Sequence, residues 1–251
     1  MTTPDDCEQS MNLFRHFRSG AESARPIALV YRGPATLPGC PEAAAAVLAT
    51  SRWNFDIRFI GPREHLRFGD SAMTGAAIYV QPGGGELEPA YRHLKSHRGE
   101  IRGFVHDGGG YLGFCLGGYL AGATPGFDLL PGDTDRYIDT RGATVDHDDD
   151  TVVSVRWRGH RRQLYFQDGP IFDIETDGGT QVLATYTNGT IAAAVTEFGR
   201  GRVGVCGPHP EATSDWFTDA GLRDPGRGAA DPHIAYGHDL AIDLVDTVLT
   251  R

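Results

Sequence analysis

Cysteine is scarce in this chain, and the little there is lies scattered. Cys7, Cys40, Cys115 and Cys206 form no C-x-x-C pair, which argues against a disulfide framework and a zinc knuckle and makes reduced thiols the expectation. Basic charge is also short: 23 Lys plus Arg stand against 33 Asp plus Glu, a formal charge of -10. Phosphate backbones and acidic lipid surfaces repel such a chain, so neither nucleic acid nor membrane is expected as a partner. Nowhere do 18 apolar residues run together, and the opening MTTPDDCEQSMNLFRHFRSG lacks an apolar stretch long enough for a signal peptide. A soluble, cytoplasmic protein is the expectation. No Pro/Ser-rich linker or sharp change of composition divides the 251 residues. One domain over residues 25–251 is therefore expected, preceded by an N-terminal tail or loosely docked helix over residues 1–24.

What the chain does contain is an alternation of short apolar runs with helical segments. IALVY at 27–31 reads as a strand, and the alanine-rich stretch 41–50, with Pro41 in its first turn, as a helix. Residues 55–60, 76–81 and 111–114 read as further strands, and 88–95 as a helix that continues through a break to 105. Strands apolar on both faces and interleaved with helices imply an α/β fold whose mostly parallel sheet is covered on both sides. Its site should then lie at the carboxyl ends of the strands. Beyond about residue 140 the segments 152–157, 161–166, 181–186, 191–198 and 202–205 are short and β-like, which predicts an antiparallel extension. Residues 224–232 read as a surface loop, and 238–249 carries Leu240, Leu244, Val245 and Val248 at helical spacing.

The sharpest chemical signal is DGGGYLGFCLGGYLAG, residues 107–122, where a strand ends at Cys115 and a helix of small residues begins at Leu116. Gly113 and Gly117 flank Cys115 at two residues on either side and let strand and helix backbones pass closely, a nucleophile-elbow pattern. The positive end of the peptide dipoles at a helix start favours a thiolate there. A thiolate that attacks a carbonyl needs a base, and VGVCGPHPEA (203–212) supplies His209 directly after a strand. The proline that follows holds His209 in extended backbone, so Glu211 projects to the same side and can fix the imidazole tautomer. QPGGGE (81–86) follows another strand, and amide groups of Gly83 or Gly84, with that of Leu116, are the candidate oxyanion donors. The mechanism requires no cofactor and no metal.

Read in order, PGGG, GFCLGGY and GPHPE resemble the class I glutamine amidotransferase-like superfamily. Within it the chain is similar to the biotin-protein ligase N-terminal domain family, also through YRGP (31–34), YFQDGP (165–170) and FGRGRV (198–203). The resemblance implies a flavodoxin-like sheet, a Cys115-His209-Glu211 triad and a covalent thioester intermediate. Members that use glutamine commonly carry Gln four residues after the nucleophile, whereas Tyr119 stands here, which points towards a small-molecule or peptide-like amide instead. No ATP-contacting Gly-rich segment is recognisable, so biotin transfer is not expected.

Three readings follow: a cysteine-dependent amide hydrolase or acyltransferase, a glutaminase subunit that hands ammonia to a separate synthetase, and a non-catalytic binding module on the same fold. A homo-oligomer and a synthetase are both left open as partners. Tyr31, Arg32, Tyr119, Gln167 and Asp168 are the substrate-contacting candidates. Tyr31 and Arg32 end the first strand at the expected site edge, and Gln167 and Asp168 lie in what reads as a turn. The acidic run VDHDDD (145–150) matches no metal-loop spacing and reads as a solvated hairpin tip. Cys206 reads as buried, Cys40 as packing near the pocket. His65, His93 and His160 sit in polar segments.

Overall fold

The computed structural model describes residues 24–69, 71–223 and 237–250. The expected N-terminal tail up to residue 23 and the loop at 224–232 lie outside the described residues. In chain order β1 (Ile27–Tyr31) is followed by α1 (Cys40–Thr50), β2 (Asp56–Ile60) and β3 (Ala76–Gln81). Then come α2 (Leu87–Leu94), α3 (Arg98–His106), β4 (Gly110–Phe114) and α4 (Leu116–Ala121), with a single 3-10 turn between α2 and α3. The second half comprises β5 (Gly132–Arg136), β6 (Thr151–Trp157), β7 (His160–Phe166), β8 (Pro170–Ile174), β9 (Thr180–Tyr186), β10 (Ile191–Phe198) and β11 (Gly201–Cys206), closed by α5 (Ser214–Asp219) and α6 (His238–Leu249).

These strands form one sheet in the order β2-β1-β3-β4-β11-β10-β9-β6-β7, with the β5-β8 ladder attached through β10. From β2 to β11 every pairing is parallel. From β11 to β7 every pairing is antiparallel. The mostly parallel, helix-covered flavodoxin-like α/β sheet with its antiparallel extension is therefore as the sequence reading has it.

Alternation along the strands explains why both faces are covered. In β1, Ala28 and Val30 feed one core and Leu29 and Tyr31 the other; in β4, Leu112 and Phe114 oppose Tyr111 in the same way. One face packs under α1 and α6 through Val47, Leu48, Leu244 and Val248. The other packs under α2, α3 and α4 through Leu94, Ile101, Val105 and Leu120. Each fully buried large side chain contributes about 1.5–3 kcal/mol, so the parallel half is a rigid platform. β5 and β8 escape the sequence reading because GDTDR has no apolar alternation and β8 begins at Pro170, which reads as a turn. Helix α5 is only 6 residues long, too short for a periodic signal.

The β4-α4 junction depends on missing side chains. A Cβ on Gly117 would lie 2.0 Å from the Gln81 carbonyl oxygen, and one on Gly113 would lie 2.3 Å from that of Gly117. Neither oxygen can yield cheaply, because both belong to backbone at the sheet-helix contact. Gly117→Ala should therefore lower the unfolding free energy by about 1–3 kcal/mol, read from urea unfolding; an unchanged midpoint would show that α4 shifts freely on the sheet.

Candidate active site

Cys115 sits where β4 meets α4, with φ 47° and ψ -106°. A non-glycine residue at this backbone conformation costs on the order of 1–3 kcal/mol and persists only where its surroundings hold it. Here the hold is the Cys115 N–H, which donates to the Cys206 carbonyl of β11 at 2.8 Å, while the Tyr119 N–H of α4 donates to the Cys115 carbonyl at 3.0 Å. The side chain is nearly buried, and the Sγ lies 3.5 Å from the Gln167 carbonyl oxygen.

His209 follows β11. Its backbone N–H donates to the Tyr165 carbonyl at 2.9 Å, an isolated bridge between the chain after β11 and the end of β7. Tyr165 and Trp216 present edges to the imidazole at centroid distances of 5.9 and 5.2 Å. His209 Nδ1 and Glu211 Oε1 are 2.8 Å apart, with both side chains almost wholly removed from water. The two side chains meet across a turn, in which the Ala212 N–H donates to the His209 carbonyl at 3.3 Å, and not along the continuous extended backbone that the sequence reading expects.

Nucleophile candidate and imidazole are neighbours. A Cβ built on Gly83 would lie 2.5 Å from His209 Cε1 and 3.3 Å from Cys115 Cβ, so both side chains crowd one point above the Gly-rich turn. Burial alone drives the imidazole towards its neutral form. The opposing charge of Glu211, together with Cys115, outweighs that and raises the His209 pKa to about 10. Burial also pushes the Cys40 thiol up to about 12, reinforced by negative charge on nearby Glu211 and Cys115. Burial likewise pushes the Cys206 thiol up. Both therefore stay protonated packing residues around Cys115, His209 and Glu211.

A cavity of about 480 Å³ opens beside Cys115; its walls include Gly84, Leu116, Tyr119, Arg136, Gln167 and Asp168. Among the described residues no group of three or more His, Cys, Asp or Glu could hold a metal ion, and no helix is long and apolar enough to cross a membrane.

Residues 27–138 match the family model described as "Biotin-protein ligase, N terminal". Over those residues the chain is similar to the biotin-protein ligase N-terminal domain family. A biotin-protein ligase of Schizosaccharomyces pombe is 25% identical over 66% of this chain, which spans only 31% of that protein's length. Subunit HisH of imidazole glycerol phosphate synthase from Acaryochloris marina is 27% identical over 57% of this chain and 72% of that one. The fold is that of a glutamine amidotransferase from Thermotoga maritima, at a TM-score of 0.59 and 15% identity over 90% of this chain and 99% of that one.

Two of the substrate-contacting candidates lie elsewhere. Tyr31 is buried in the core, its hydroxyl accepting from the Ala35 N–H at 3.4 Å. Arg32 is clamped by Glu64 at 2.8 and 2.9 Å, reaches Glu42 at 3.2 Å and covers the Phe59 ring at 3.8 Å. Neither lines the cavity, because the first strand ends one position away from the β3-β4 crevice. Tyr119, Gln167 and Asp168 do line it. Sequence reasoning missed Arg136, which sits on the unpredicted β5. It also missed Glu86, together with Asp148 of the acidic run. Residues 146–150 of the run are exposed as expected, but the run is no hairpin tip: it lies in the connection from β5 to β6, two strands that do not pair with each other, Val145 is buried, and Asp148 reaches the cavity wall.

The raised pKa of His209 makes stability pH-dependent. Its folded value near 10 exceeds the unfolded 6.5, so the pair's contribution is complete below pH 6.5 and fades as pH rises through 10. Glu211→Gln should cost about 3–5 kcal/mol at pH 6 and progressively less towards pH 10. Urea unfolding of both proteins across that range measures the gap; a gap that widens with pH contradicts the assignment.

Proposed function

We propose that this chain is a cysteine-dependent amidase or acyltransferase that cleaves a C–N amide bond through a thioester on Cys115. The observation that carries the reading is the crowding of Cys115 and His209 around Gly83, with Glu211 2.8 Å behind the imidazole. The sulfur attacks the carbonyl carbon, forming the S–C bond and placing negative charge on the carbonyl oxygen. Backbone N–H groups of the Gly83–Gly84 turn and of Leu116 stabilise that oxygen. His209, held protonated by Glu211, gives its proton to the nitrogen as the C–N bond breaks, and an amine leaves. Water, or an acceptor amine, then attacks the thioester; His209 takes up its proton, and the sulfur is released.

A second reading has its own support in the likeness to HisH, a synthase subunit by name: the chain hydrolyses glutamine and supplies ammonia to a separate synthetase. Tyr119 in the cavity wall, at the position where glutamine-using relatives carry Gln, favours the first reading.

Cys115→Ala should abolish adduct formation with electrophilic amide probes, seen by intact mass, and should lower amide turnover at least about 10³-fold. His209→Ala should slow alkylation of Cys115 while the fold, monitored by circular dichroism, persists. If Cys115 alkylates no faster than Cys7 near neutral pH and His209→Ala changes nothing, the chain is a binding module. Glutamine hydrolysis measured with and without a candidate synthetase separates the two catalytic readings.

A further inference from the structure

The charge lining the cavity bears on which amide Cys115 would meet. Glu86, Asp148 and Asp168 face it, and among the described residues of its wall Arg136 is the one cation. That cation is already engaged. Its Nε donates to both carboxylate oxygens of Asp168 at 3.0 and 3.1 Å, one Nη donates to Asp168 at 2.8 Å, and the other points to Asp139 at 3.5 Å. The fork geometry that would receive a substrate carboxylate is therefore filled from within.

The Asp168 end of the ion pair is held just as firmly. Asp168 has φ 46°, in the left-handed region, and its carbonyl accepts from the Tyr119 hydroxyl at 3.1 Å. The next residue, Gly169, packs so closely that a Cβ there would lie 2.2 Å from the Gly207 carbonyl oxygen. A loop pinned at each of these points does not swing aside to release Arg136. What the cavity offers a substrate is thus acceptors: the rim carboxylates of Glu86 and Asp148, which form no ion pair among the described residues, and the Gln167 carbonyl at 3.5 Å from the nucleophilic sulfur. The chain's overall charge of -10 adds to the same field.

We infer that the substrate of this site is an amide bearing a positive charge, an ammonium or guanidinium group close to the scissile carbonyl, with no free carboxylate beside it. The inference rests on the nucleophilic role of Cys115. Zwitterionic glutamine fits poorly, since its carboxylate meets the two carboxylates of Glu86 and Asp148 and an arginine already occupied by Asp168.

Three chloroacetamides of equal chain length, ending in a methyl, an ammonium or a carboxylate group, test this on the full chain, with Cys115 alkylation rates read by intact mass. The ammonium probe should react at least about tenfold faster than the carboxylate probe, with the methyl probe between. That preference should shrink in about 0.5 M salt and in the surface double variant Glu86→Gln, Asp148→Asn. Equal rates for the charged probes, or a faster carboxylate probe, overturn the substrate class while normal His209-dependent labelling by the methyl probe keeps the nucleophile. No labelling of Cys115 by the methyl probe overturns both.

Discussion

The buried contact between His209 and Glu211 is the interaction on which the candidate site depends. Imidazole and carboxylate are held at 2.8 Å in a place from which water is excluded, so the attraction is strong and the penalty for separating the partners is high. That penalty keeps the ring in one orientation. It also fixes which nitrogen faces the carboxylate, leaving the other for the sulfur side. The aromatic edges of Tyr165 and Trp216 close the remaining sides, and the Tyr165 carbonyl holds the His209 backbone.

Such a pair has to be carried by a frame that does not move, and the parallel half of the sheet supplies it. Both neighbours of the elbow are backbone: the Cys206 carbonyl beneath Cys115, and the Gln81 carbonyl against Gly117. Strain at Cys115 is therefore held by contacts that side-chain rotation cannot relax. Burial that serves the fold also tunes the site, since it keeps the Cys40 and Cys206 thiols protonated and leaves Cys115 as the cysteine open to the cavity.

The antiparallel extension adds the other wall. β5 and β8 bring Arg136 and the 167–169 loop against α4, and the ion pair between Arg136 and Asp168 fills the guanidinium fork that would otherwise receive a carboxylate. The elbow thus sits in a cavity whose charge is set by a different part of the chain.

By itself the sequence determined the elbow, the histidine-glutamate pair and the parallel sheet, because each rests on local rules. Glycines two residues either side of Cys115 mark a close crossing, a residue before proline is extended, and apolar runs without alternation mark strands buried on both faces. Only the tertiary structure decided that Tyr31 and Arg32 turn away and that Arg136, Glu86 and Asp148 line the cavity. Those placements depend on which strand neighbours which and on ion pairs between residues far apart in the chain, such as Arg136 with Asp168 and Arg32 with Glu64. A polar strand like GDTDR carries no periodic signal of its own; it becomes a strand only when β8 offers its backbone.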